Sequence, residues 1–179
     1  RIAVNFSPVQ FRKKTLIQDI KNIMFETWAK PTNITIEVTE SIFIRNSNEV
    51  IVLLNQLRDM GFKISMDDFG MWYSSLNTLK RFPIDTLKID RTFVRDITTD
   101  PDDAAIIRTI ITIAHSLKME VIAEGVETKE QMDYLKHHQC NYYQGYYFSR
   151  PQAESAIAMK IWGETSKYTE LIDGALFKQ

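Results

Sequence analysis

Apolar residues fall into two alternating patterns along the chain. Short β-branched runs occur at Ile2 to Asn5, Asn33 to Glu37, Phe62 to Asp67, Thr86 to Ile89, Glu120 to Ala123 and Tyr142 to Tyr146, and each reads as a strand. Between them, apolar positions recur every three or four residues. Leu16, Ile17, Ile20, Ile23 and Met24 make one helical stripe that stops near Lys30-Pro31, and Val50, Leu53, Leu54, Leu57 and Met60 make another that ends at Gly61. Asp100 before Pro101 predicts an N-cap with proline at the first helical position, opening a stripe through Ile106, Ile110, Ile113, Ala114 and Leu117. Thr128 with Gln131 predicts a capping box, and Pro151 predicts the start of a last long helix. Alternation of this kind is the mark of repeated βα units, hence an α/β fold, either a doubly wound open sheet or most of a barrel. A full (β/α)8 barrel needs roughly 250 residues, and this chain has 179. No linker divides it, so residues 1–163 are read as one domain and the more polar 164–179 as a tail or accessory helix.

Composition narrows the chemistry. With 22 basic against 23 acidic side chains there is no global field to draw in a polyanion or a membrane surface, so polymeric nucleic acid and lipid are not expected partners. No apolar run is long enough to span a bilayer. The single cysteine, Cys140, excludes an intrachain disulfide and a multi-cysteine metal cage, which suits a cytoplasmic setting for this domain, even within a larger, membrane-anchored protein. His115 sits in a helical stripe, and His137 and His138 fall in the last turn of a helix, where a cation suits the helix dipole. Neither a phosphate-cradling glycine loop nor a nucleophile elbow is present.

Candidate chemistry lies at the strand ends. Asn5, Glu37, Asp67, Lys88, Glu124 and Gln144 stand at or just past the C-terminal ends of six successive strands, the edge on which α/β folds build their sites. An acidic residue after a strand also serves as a helix cap. Caps favour short side chains, however, and Glu37, Lys88, Glu124 and Gln144 are long enough to reach inward. If Glu37, Asp67, Asp68 and Glu124 converge, their repulsion amounts to a few kcal/mol per pair. One ammonium, Lys88, does not balance four carboxylates, so divalent metal is the economical inference. Oxygen ligands without Cys or His favour Mg²⁺ or Mn²⁺ over Zn²⁺, and the adjacent Asp67 and Asp68 allow two ions to share the site.

Taken in order, Val4-Asn5-Phe6-Ser7, Glu37-Val38-Thr39-Glu40-Ser41, Asp67-Asp68-Phe69-Gly70, Leu87-Lys88-Ile89-Asp90-Arg91, Ala123-Glu124-Gly125-Val126-Glu127-Thr128, Gln144-Gly145 and Phe148-Ser149-Arg150-Pro151 resemble the motifs of the EAL-domain cyclic-di-GMP phosphodiesterases. The resemblance runs from Asn5 to about Trp162. It implies a (β/α)8 TIM-type barrel, here lacking its first one or two units, that hydrolyses cyclic di-GMP to linear pGpG with Mg²⁺ or Mn²⁺, two ions in all. By the same resemblance, Asn5, Glu37 and Asp67 would hold one metal, and Asp67, Asp68 and Glu124 a second. Lys88 would position water or screen phosphate, Glu124 would act as general base, directly or through a metal-bound water, and Gln144 would contact the water or a phosphate oxygen. Glu127 would be a further active-site position and Glu40 would hold the loop after Asp68. Arg150 and Pro151 would touch substrate.

Two departures from the family pattern stand out. The Glu-Ala-Leu run that gives the family its name is absent, as expected either of an excerpt whose barrel begins before Arg1 or of a site that is truly incomplete, the excerpt being the favoured reading. In the loop after Gly70, Met71 and Trp72 replace the usual Thr-Gly or Ala-Gly pair, removing a glycine's access to positive φ. This second departure motivates an alternative, a catalytically silent receptor that binds cyclic di-GMP and relays the signal. An unrelated barrel using Lys88 as the base in carbanion chemistry would account for the lysine and the acids, though not for the ordered motifs. The resemblance also implies a homodimer and neighbouring sensor or diguanylate-cyclase domains.

Overall fold

The computed structural model describes residues 1–43, 47–70 and 76–162. Its strands are β1 (Ile2–Phe6), β2 (Ile34–Thr39), β3 (Lys63–Phe69), β4 (Thr86–Ile89), β5 (Glu120–Glu124) and β6 (Tyr142–Gln144). The helices are α1 (Leu16–Thr27), α2 (Ser47–Asp59), α3 (Leu76–Arg81), α4 (Arg91–Arg95), α5 (Pro101–Ser116), α6 (Lys129–His137) and α7 (Glu154–Trp162). All six expected strands form, in the expected order. The chain clusters into two compact units, one of residues 1–88 with 117–119 and one of residues 89–116 with 120 onward.

In the first unit β1, β2, β3 and β4 lie side by side in chain order, with β1, β2 and β3 parallel. Ile36, Val38, Ile64, Met66 and Leu87 are at most 1% exposed and pack in the core with Leu54, Leu57 and Leu79 from the helices. Each such side chain contributes roughly 1.5–3 kcal/mol by leaving water. On β2 and β3 the residues between them, Thr35, Glu37 and Thr39 and then Lys63, Ser65 and Asp67, occupy the opposite face, because side chains alternate along a strand. In the second unit β5 and β6 pair in parallel, and Val121, Ala123, Ile107, Ala114 and Leu135 are fully buried.

Both units use the same device where their strands begin. Asp85, just before β4, accepts from the Ile64 amide of β3 at 2.9 Å while its own amide donates to the Ile64 carbonyl at 2.9 Å, and Lys63 reaches the same carboxylate at 2.9 Å. Asn141, just before β6, accepts from the Val121 amide of β5 at 2.8 Å and from the ring of His115 at 3.0 Å. A side chain that imitates the next ladder bond thus fixes the start of each pair. The role of His115 is therefore structural.

Several boundaries differ from the sequence expectation. Strands β2 and β3 run two residues past Glu37 and Asp67, whereas β6 stops at Gln144 and not at Tyr146. It stops because the amide of Tyr147 turns back to the carbonyl of Val126 at 3.0 Å. Helix α1 ends at Thr27, with Trp28 in the left-handed conformation at φ 56°, ahead of the proline that was expected to stop it. Helix α7 opens at Glu154, three residues after Pro151. Asp100 does precede α5, accepting from the Asp102 amide at 2.8 Å. Met71, Trp72 and residues 164–179 lie outside the described residues.

Candidate functional site

In the first unit the long side chains at the strand ends meet. Lys88 projects from β4 and places its Nζ 2.9 Å from Glu37 Oε1 of β2 and 3.1 Å from Asp67 Oδ1 of β3. The three side chains are only 5%, 10% and 15% exposed. An ammonium this deep would be costly alone, and so would either carboxylate; together they leave one net negative charge in a weakly screened place. Glu37 lies beside Asn5 of β1 in the parallel register, so the amide of Asn5 stands on the strand next to the buried carboxylate. Asn5 itself is exposed.

Asp67 and Asp68 differ in backbone as well as in order. Asp68 has φ 55°, a left-handed conformation that is uncommon outside glycine but tolerated by aspartate, and its amide donates to Asp67 Oδ1 at 3.1 Å. The alternation of β3 is broken at this point, which frees two consecutive carboxylates from facing opposite sides of the sheet. Both are half-buried. Glu40 follows β2 in a short 3₁₀ turn and is 1% exposed; the loop it was expected to hold, residues 71–75, falls outside the described residues. The donor set of this unit (Asn5, Glu37, Asp67, Asp68) is entirely oxygen and suits a hard divalent cation such as Mg²⁺ or Mn²⁺.

The second unit carries its own group. Glu124 is the last residue of β5 and half-buried, Gln144 is the last of β6 and exposed, and Glu127 is exposed in the loop after β5. What holds this loop is backbone and capping chemistry, not charge. Gly125 has φ 70°, and a Cβ there would lie 2.5 Å from Cβ of Arg91. Thr128 caps α6 by accepting from the Gln131 amide at 3.2 Å, while Gln131 Oε1 accepts from the amides of Glu127 at 2.7 Å and Thr128 at 3.0 Å. The predicted capping box therefore forms. Gln131, 5% exposed, also donates through Nε2 to the Arg95 carbonyl at 3.0 Å, tying the loop to the end of α4. Arg150 is exposed and stacks its guanidinium 4.6 Å from the Tyr146 ring centre; Pro151 is exposed beside it.

Three contributions escaped sequence reasoning. Ser65, the register partner of Glu37, is fully buried with a hydroxyl that has no hydrogen-bond partner among the described residues, and no local pattern signals it. The stacking of Arg150 on Tyr146 depends on a turn whose course the strand expectation missed. The reach of Gln131 to Arg95 spans 36 residues. His137 and His138 close α6 as expected, His138 as its C-cap, and the His138 ring lies 4.5 Å from that of Tyr134 and 5.0 Å from that of His137. Burial, then the neighbouring His137 and Arg108, push its pKa below the usual imidazole value.

A family model described as the EAL domain matches residues 1–151. The chain is 42% identical over 158 residues to the bifunctional diguanylate cyclase/cyclic di-GMP phosphodiesterase MucR of Pseudomonas aeruginosa, an alignment covering 88% of this chain and 23% of that protein. Among solved structures it resembles the MucR phosphodiesterase in complex with c-di-GMP, with TM-score 0.83 and 41% identity over 88% of this chain and 64% of that one. It also resembles the manganese and cyclic-di-GMP complex of BlrP1 from Klebsiella pneumoniae, with TM-score 0.78 and 33% identity over 84% of this chain and 39% of that one. The chain thus spans less than a quarter of the length of the curated relatives it matches.

Proposed function

Since the chain belongs to the EAL-domain family and has its α/β, TIM-barrel-type fold, with six strands in chain order, we propose that it hydrolyses cyclic di-GMP to linear pGpG with the help of Mg²⁺ or Mn²⁺. The observation that carries the proposal is the buried bridge from Lys88 to Glu37 and Asp67. It holds two carboxylates in fixed positions on the C-terminal side of neighbouring strands, with Asn5 and Asp68 on the same strand ends.

In this proposal Asn5, Glu37 and Asp67 would hold one ion, and Asp67, Asp68 and Glu124 would hold a second. The ions would supply an activated water and stabilise charge on the leaving oxygen. Lys88 keeps Glu37 and Asp67 from splaying under their own repulsion and orients their remaining lone pairs. Glu124 takes the proton of the attacking water, and Gln144 orients that water or a phosphate oxygen by hydrogen bonding. Glu127 contributes a further carboxylate beside Glu124 from the same loop. Arg150 and Pro151 contact the substrate, with the Arg150 guanidinium positioned on Tyr146. We propose further that the protein works as a homodimer in the cytoplasm, joined to sensor or diguanylate-cyclase domains; no described helix is long and apolar enough to cross a membrane.

The test is direct. Purified full-length protein with Mn²⁺ converts cyclic di-GMP to pGpG, chelation stops turnover, and Glu124→Gln abolishes it. Calorimetric binding of cyclic di-GMP without hydrolysis at any metal concentration would overturn the enzymatic proposal and establish the receptor, with Met71 and Trp72 as the first positions to revert to Thr-Gly. Light scattering during gel filtration checks the dimer.

A further inference from the structure

Val126 is the buried centre of the loop that follows β5. Both of its main-chain groups are taken by the loop that follows β6: its amide donates to the Gln144 carbonyl at 3.0 Å and its carbonyl accepts from the Tyr147 amide at 3.0 Å. The side chain of Val126 is fully buried, so the peptide has no room to move outward without exposing it. Gly145 lies flat against this peptide. A Cβ at position 145 would overlap the Val126 carbonyl oxygen and amide nitrogen and stand 2.6 Å from its carbonyl carbon. Those are backbone atoms, which have no rotamer by which to step aside. The turn closes on itself through the amides of Phe148 and Ser149, which donate to the Gly145 carbonyl at 3.1 and 3.3 Å.

We propose that the loops after β5 and β6 form a single clamp, with Gly145 as the positioning residue that seats Glu124, Glu127 and Gln144 as one body. The proposal rests on the active-site roles given to those three groups above. Its physical content is separate: the two flanks of Val126 carry Glu124 and Glu127, the residue before Gly145 is Gln144, and the only covering that fits between them is a hydrogen atom at Cα. A displacement of either loop is passed to the other through two hydrogen bonds on one residue. The absence of a side chain at 145 is therefore a requirement of proximity, whatever the dihedral angle there.

The experiment compares Gly145→Ala with Gly61→Ala in the full-length protein. Gly61 is a second demanding glycine, with φ 101° and a Cβ that would sit 3.3 Å from Thr32, and no candidate site residue adjoins it in sequence. Thermal melting calibrates the general destabilisation of each variant. Cyclic di-GMP binding is measured by calorimetry with Ca²⁺ as the metal, turnover with Mn²⁺, and native-state hydrogen exchange at the Val126 and Tyr147 amides. Gly145→Ala is expected to lower kcat at least about 100-fold and to weaken binding about tenfold, while Gly61→Ala melts lower but keeps both parameters. In the unaltered protein the Val126 and Tyr147 amides exchange with equal protection, because one opening event exposes both. Wild-type kcat and affinity in Gly145→Ala, or protection of the two amides differing more than about tenfold, overturns the clamp. Should Gly145→Ala not fold, the exchange comparison in the unaltered protein decides. Should the unaltered protein neither bind nor hydrolyse cyclic di-GMP, the proposed function fails while the exchange result still judges the clamp.

Discussion

In the unit built on β1 to β4, the candidate groups are held by charge: a buried ammonium at 2.9 and 3.1 Å from the buried Glu37 and the half-buried Asp67 carboxylates. In the unit built on β5 and β6 they are held by backbone: Glu127 and Gln144 are exposed, and what surrounds them is a capping box, two glycines without room for a methyl group, and hydrogen bonds on Val126. The contrast is one of failure modes. A charged trio fails when one member is neutralised, since the others are then buried without compensation. A backbone-held loop tolerates loss of its exposed side chains and fails when its main chain is forced aside.

The largest break in this comparison is Lys88→Met. It removes the ammonium between Glu37 and Asp67, and is expected to cost roughly 3–5 kcal/mol in chemical denaturation of the metal-free protein and to abolish turnover even at saturating Mn²⁺. Next comes Gly125→Ala in the other unit. The left-handed backbone and the 2.5 Å approach to Arg91 predict a loss of about 1–3 kcal/mol. Turnover should fall more than stability accounts for, because the strain sits next to Glu124. Gln131→Ala removes the acceptor for the Glu127 and Thr128 amides together with the donor to Arg95, and should cost about 1–2 kcal/mol. Its melting temperature falls while the charge trio of the first unit keeps its response to Lys88→Met, which double-variant denaturation would show as additivity.

The smallest expected effect is a pH dependence confined to the second unit. The folded pKa of His138 is depressed, first by burial and then by His137 and Arg108. The unfolded chain therefore binds the proton more readily as pH falls. Stability from this group is complete above the usual imidazole value and is lost as pH falls through it toward the folded value. Melting temperature should fall in that window, and His138→Gln should flatten the dependence.

The same contrast explains what could be read from the primary structure. Strands announced themselves through β-branched runs, and Lys88 could be picked out by counting charges, since four carboxylates demand a cation. The Thr128–Gln131 box was legible because capping depends on residues three positions apart. Strand ends were misplaced at Glu37 and Asp67 because polar side chains on the inner face of a strand look like its terminus. The left-handed backbone of Asp68 and the contact of Gln131 with Arg95 were hidden for a different reason: each is set by tertiary neighbours and leaves no local period. Tyr146 extended the apparent sixth strand because its composition favours one, while the return of Tyr147 to Val126 decided otherwise.

Cys140 carries a practical corollary. It is 3% exposed, burial pushes its thiol up to about 12, and it is the sole cysteine of the chain. Alkylating reagents should pass it by at neutral pH. A cysteine introduced at an exposed position such as Tyr146 would then be the only reactive thiol in these 179 residues, so a fluorophore or spin label attached there reports from a single known place without prior removal of the native sulfur.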